Sequence, residues 1–165
     1  MCANSATTDS GTWLPTEADG ETALDRVFGL TPAAYDAYRD LDRALWDPAL
    51  VSPALLELCR LRIAELVGCD AELPVRHDQA AAAGLTTEKI DDLRQWPTSA
   101  HYTDTDRAVL NFAEKFVIDA SSVDDDDCTV LRAHLSDPEI AALTTAVALF
   151  DAMARFQVAL GVRSR

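Results

Sequence analysis

No two of the four cysteines stand close in sequence: Cys2, Cys59, Cys69 and Cys128 form no CxxC pair. Only Cys69 and His77 fall at a ligand-like spacing, and one thiol with one imidazole does not make a metal site, so no metal or other cofactor is expected. A chain of this size does not need a disulfide framework, which points to a reduced, cytoplasmic protein. Positive charge is also scarce. Fourteen Lys and Arg face 28 Asp and Glu, for a net charge of −14 and no basic stripe, so a phosphate backbone would be repelled. Long apolar runs are missing as well. The longest, "IAALTTAVALF" at 140–150, is too short to span a bilayer, and the start lacks the basic-then-apolar pattern of a signal peptide. With six glycines, 7% aromatics and few clustered β-branched residues, the composition favours helix over sheet.

What remains is a chain of 165 residues, enough for one domain with a single substantial core. Residues 1–22 are polar with Gly, Pro and Ser, and read as a flexible arm in which Trp13 and Leu14 are the groups able to dock. The domain proper is expected over 23–165. Its helices carry their own punctuation. Thr31-Pro32 starts a helix through about Trp46, and Ser52-Pro53 starts another that Gly68 ends. A third runs from about Leu73 to Ala83. Thr86 caps a short helix to Gln95, with Leu85 and Ile90 spaced as a hydrophobic staple. The stripe Val109, Phe112, Phe116 and Val117 makes 104–120 amphipathic. Four aspartates at 124–127 complement the positive end of the next helix and lack the ligand spacing of a calcium loop. Ser136 and Glu139 form a capping box for a last helix to Leu160, apolar nearly all round and so buried on several sides. The expected fold is all-α, with six to seven helices.

Chemistry concentrates in "ELVGCDAELPVRHDQAAAAGL" (65–85). At helical spacing Cys69, Glu72 and Arg76 share a face, with His77 further round. The bland account is an i, i+4 ion pair between Glu72 and Arg76 and a small buried thiol. The reactive account is a cleft with Cys69 near a helix N-terminus, which lowers thiol pKa. Pro74 sits uneasily inside such a helix and moves its expected start to about Leu73. Glu57, in the apolar "LLELCRL", is either a raised-pKa acid–base group or the ion-pair partner of Arg60 or Arg62. His101 and His134 lie in less suggestive settings.

In order and spacing these segments resemble the carboxymuconolactone decarboxylase and alkylhydroperoxidase-D-like superfamily. The match is densest over "LLELCRLRIAELVGCDAELPVRHDQAAAAGLTTEKIDDL", and weaker likeness continues through "YTDTDRAVLNFAEKF" and "SDPEIAALTTAVALFDAMARF". The resemblance implies an alkylhydroperoxidase-D-like helical bundle. It also implies a homo-oligomer, a trimer or a hexamer built from trimers, with the last helix packed between subunits. Peroxidatic relatives join a glutamate, two cysteines and a histidine. Here Glu57 and Cys69 hold the first two positions, but Glu72 replaces the second cysteine and Arg76 the histidine, with His77 one place later. A dithiol cycle needs two thiols, so hydroperoxide reduction is disfavoured.

The expected function is therefore acid–base chemistry on a small organic acid or carbonyl compound, decarboxylation or a related proton transfer. Glu57, Cys69 and His77 are the candidate catalytic residues, and Glu72, Arg76 and Arg155 the candidate substrate-binding residues, with Arg76 or Arg155 as the cation for a substrate carboxylate. The alternative is an inert oligomeric scaffold or binding protein of the same fold. A closed salt-bridge network around Glu57 favours the scaffold, and an open cleft converging on Glu57, Cys69 and His77 favours the enzyme.

Overall fold

The computed structural model describes residues 11–14 and 20–163. Of the expected arm, residues 1–10, Cys2 among them, and 15–19 lie outside the described residues. Among those described, the fold is all-α, with eight α-helices: α1 (Ala23–Phe28), α2 (Pro32–Leu45), α3 (Pro53–Val67), α4 (Asp78–Ala82), α5 (Thr87–Asp91), α6 (Asp104–Asp119), α7 (Asp125–Arg132) and α8 (Asp137–Ala159). The count exceeds expectation because α1 went unread, although the TxxD spacing of Thr22 and Asp25 builds a capping box at its start. Both expected prolines do open helices, α2 and α3, but neither Thr31 nor Ser52 makes a side-chain capping bond. Asp124 and Asp127 cap α7 reciprocally, and the Glu139 carboxylate accepts from the Ser136 N–H at 2.7 Å.

The third helix is corrected. Residues 69–77 turn or run extended, and α4 begins only at Asp78 rather than Leu73. Two causes combine. Pro74 has no N–H to give, and the Arg60 guanidinium takes the carbonyls of Glu72 and Val75 at 3.0 and 2.7 Å, which a helix would have used internally.

The centre of the molecule is α3, which packs against α8, α6 and α4. Leu56, Leu58, Cys59 and Ile63 are wholly buried on it, and α6 and α8 supply Val109, Leu110, Leu143 and Val147. Within the single chain α3 is the more completely buried helix, and α8 leaves Ala141, Thr145, Ala148 and Ala152 exposed. At its C-terminal end α3 closes with Gly68 in the left-handed region (φ 70°) and the Cys69 N–H on the Ala64 carbonyl at 2.8 Å.

A clasp joins distant parts of the chain. The Thr12 hydroxyl donates to the Leu160 carbonyl at 2.7 Å, and the Trp13 indole N–H to the Ala159 carbonyl at 2.8 Å. The Arg163 N–H returns to the Gly11 carbonyl at 2.9 Å. Beside it, Ala23 and Val27 of α1 pack with Val162 and Phe156.

Leu143→Ala tests the α3–α8 seam, because Leu143 is fully buried there. Urea unfolding should show a loss of about 2–5 kcal/mol with helical content retained.

Candidate functional site

Glu57 lies in the middle of α3 with no exposed surface, and Arg60, one turn on, is 8% exposed. The guanidinium grips this carboxylate with both prongs, Nε to Oε2 at 2.8 Å and Nη2 to Oε1 at 2.7 Å. Its Nη1 reaches Glu72 Oε2 at 2.6 Å and the Glu72 carbonyl at 3.0 Å, and Nη2 also donates to the Val75 carbonyl. All five guanidinium N–H groups are therefore spent on protein. Burial acts against the charged form of Arg60, but hydrogen bonds and charge from Glu57 and Glu72 outweigh it and raise its pKa above the ordinary value. The other oxygen of Glu72 accepts from the Gln157 side-chain amide, which is 3% exposed on α8.

Of the six residues expected to form the site, the structure joins Glu57 and Glu72 through Arg60. His77 enters through its main chain, whose N–H points to Glu57 Oε1 at 3.4 Å. Its ring lies flat on the Trp46 indole instead, with centroids 3.7 Å apart and planes 4° from parallel, and its Nδ1 is buried without a hydrogen-bond partner. Arg76 is exposed, turned back onto the carbonyls of Leu73 and Val75. Arg155 pairs with Asp151 at 2.8 Å and donates to the Val117 carbonyl, beside a separate opening between the ends of α3, α6 and α8.

Cys69 follows the C-terminus of α3 rather than an N-terminus, so the helix-end argument for a reactive thiolate does not apply. Burial pushes its pKa up, and the backbone N–H groups of Glu72 and Ala71 only partly offset this. Burial, with the nearby charge of Asp106, pushes Cys59 up to about 12. Neither thiol is poised to ionise at neutral pH.

Two clefts flank the network without sharing a lining residue. One, of about 500 Å³, runs along α2 past Arg39, Asp42, Arg43 and Trp46 to His77. Asp42 there accepts from the Trp46 indole N–H at 3.1 Å. The other, of about 260 Å³, has Glu72 and Gln157 in its wall and is otherwise mainly apolar. Sequence reasoning held Arg60 only as a possible partner for Glu57, and missed Gln157 and Asp42. A lone amide in the apolar "ARFQVAL" was the available signal for Gln157. Among the described residues, no three His, Cys, Asp or Glu side chains are grouped to hold a metal ion, and no helix is long and apolar enough to cross a membrane.

The all-α fold agrees with the comparisons. The model of the carboxymuconolactone decarboxylase family matches residues 32–115, and the chain belongs to that family. It is 26% identical over 112 residues to the uncharacterized protein YnjA of Escherichia coli (strain K12), a match covering 68% of this chain and 62% of YnjA. The match thus spans less than two thirds of that relative's length. In fold it is similar to protein ATU0492 of Agrobacterium tumefaciens, a protein of unknown function, with TM-score 0.75, 23% identity, and 92% of this chain and 99% of that one covered. The debrominase Bmp8, solved with 2,3,4-tribromopyrrole, gives TM-score 0.71 at 17% identity, covering 87% and 77%. The alkylhydroperoxidase AhpD core protein of Ralstonia eutropha JMP134 gives 0.71 at 19%, covering 86% and 76%.

Two outcomes follow from this electrostatics. Arg60→Met strands Glu57 in the core and should cost about 3–5 kcal/mol in urea unfolding, part of it regained when Glu57→Leu is added. Asp42 has its pKa raised above 3.8, mainly by burial, with the Trp46 hydrogen bond and His77 opposing and Glu72 adding. Its contribution to stability is present at low pH and lost as pH rises through the folded pKa. Asp42→Asn should therefore melt higher than the parent at pH 7, and the gap should close as pH falls below the ordinary carboxyl range.

Proposed function

We propose that this protein is a thiol-independent enzyme of its family, carrying out proton transfer on a small organic acid or carbonyl compound with Glu72 as the proton-accepting group. The observation behind this reading is that Glu72 alone among the three charged network members borders a cleft. Glu57 is sealed, with both oxygens on Arg60. The acid–base role first given to Glu57 therefore passes to Glu72, and Glu57 holds Arg60 in place. A carboxylate offers about four acceptor sites. The side chains of Arg60 and Gln157 occupy one on each oxygen, leaving capacity toward the cleft. Decarboxylation in the family's name and the small heterocycle bound by Bmp8 are compatible with a cleft of this size. Hydroperoxide reduction is the poorer reading, because the second cysteine position holds a carboxylate and both core thiols resist ionisation.

The alternative, an inert binding protein, draws support from the same network, since a guanidinium with every donor satisfied also suits a purely structural role. Isotope exchange separates the two. Unsaturated lactone acids or neutral hydroxyketones incubated in D₂O should exchange or lose CO₂ on the enzyme reading, and Glu72→Gln should slow this by about 10²–10⁴-fold per folded molecule. Cys69→Ser should leave the rate unaltered. Binding without exchange across the series, or full activity in Glu72→Gln, would hand the site to the inert reading.

Assembly belongs to the proposal too. The small residues exposed along α8, Ala141, Thr145, Ala148 and Ala152, suit close approach of a second copy, in keeping with a trimer or hexamer. Light scattering at micromolar concentration should give a multiple of the 17.9 kDa chain mass. A stable monomer would remove this element.

A further inference from the structure

We infer that the Glu72 cleft selects uncharged molecules bearing a hydrogen-bond donor and rejects carboxylates, with Gln157 as the residue that positions Glu72 to read that donor. This rests on the reading of Glu72 as the working group and narrows its substrate class from organic acids and carbonyl compounds to uncharged carbonyl compounds that carry a hydroxyl or N–H.

Size sets the first limit. The volume of about 260 Å³ is what roughly nine waters fill at about 30 Å³ each, enough for one small ring with a substituent. The walls set the second. Ala23, Leu24, Ala71, Pro74, Val75 and Val162 give the cleft an apolar lining that favours the body of such a ring.

Charge sets the third. Two carboxylates, Glu57 and Glu72, face one guanidinium, so the network carries one uncompensated negative charge. Arg60 has no N–H left for an incoming anion. The two arginines first considered for a substrate carboxylate, Arg76 and Arg155, are turned to other partners. Among the lining side chains two carboxylates, Glu21 and Glu72, stand against one guanidinium, Arg163. A carboxylate brought to Glu72 would meet a like charge in a cleft whose lining carries more negative than positive side chains. A hydroxyl or N–H would meet an acceptor.

Gln157 adds direction. It is one of only four buried polar or charged side chains among the described residues, and it lies on a helix whose other buried positions are apolar. Its amide holds Glu72 Oε1 while Arg60 holds Oε2, so the carboxylate is pinned from both sides. Without Gln157, one oxygen swings free and the donor-reading geometry blurs, although the charge is unchanged.

Three ring probes of matched size test this by NMR titration of the full chain, following the methyl signals of Ala71, Val75 and Val162. Benzyl alcohol should bind, toluene more weakly, and benzoate at least about ten-fold more weakly than the alcohol, as expected for a like charge brought near Glu72. Glu72→Gln should shrink the benzoate penalty. Gln157→Leu should keep that penalty but reduce the preference for benzyl alcohol over toluene, a split that general destabilisation would not produce. Melting curves confirm that each variant is folded. Benzoate binding as well as benzyl alcohol overturns the inference, as does the absence of all three from the cleft. If benzoate binding is instead strong and lost in Arg163→Gln, the edge arginine is an anion anchor and the inference is again overturned. Because these readouts are equilibria, the binding order can hold while isotope exchange fails, and failure of either proposal is seen separately.

Discussion

A guanidinium placed in the interior has to satisfy five donors or be expelled, and here Arg60 satisfies all of them within one turn of α3 and the segment that follows it. Much of the local architecture follows from that requirement. The carbonyls of Glu72 and Val75 are drawn inward, so residues 69–77 cannot close into a helix. Glu72 is carried to the edge of a cleft, and Glu57 is neutralised where ionising it alone would be prohibitive. Glu72, at the position where the resemblance implies a second cysteine, forms one end of a charge network.

The helices were legible because their ends are written in short-range chemistry. Prolines at 32 and 53, Gly68, Thr86 and the aspartates at 124–127 mark boundaries that local sterics and hydrogen bonding enforce without help from the fold. The failure at 73–77 has a different origin. Pro74 hinted at the disruption, but the decisive competitor for the backbone carbonyls is Arg60, up to 15 residues away in sequence. Helical-wheel reasoning cannot see a side chain that borrows acceptors from a later segment.

The site was legible in part for the same reason. Glu57 stood out because a carboxylate is unusual in an apolar helix, and Glu72 because the resemblance puts a cysteine at its position; the structure joins the two through Arg60. His77 stood out as chemistry, yet it is the His77 main chain that meets Glu57, while the ring packs on Trp46. Gln157 lies 85 residues from Glu72 and only the fold brings them together. Cys69 is the instructive case. Its spacing from Glu57 matches a reactive thiol, whereas its actual position, just past a left-handed glycine at a helix C-terminus, is one where a small buried side chain closes the helix.

The clasp between Thr12–Trp13 and Leu160–Ala159 spans almost the whole chain, with a sequence separation of 148 for Thr12 and Leu160. Closure cost grows only slowly with span, so what sets the clasp apart is the small peripheral cluster that holds it. Leu24 and Val162, which line the Glu72 cleft, pack in the same small cluster as Leu14. One wall of the cleft is accordingly held by a peripheral cluster, while the charge network behind it is anchored on the buried α3. Transient release of the clasp would loosen one wall of the cleft at a free energy well below that of global unfolding. In hydrogen exchange, amides near Val162 should then behave as a separate, faster-opening unit than those of α3.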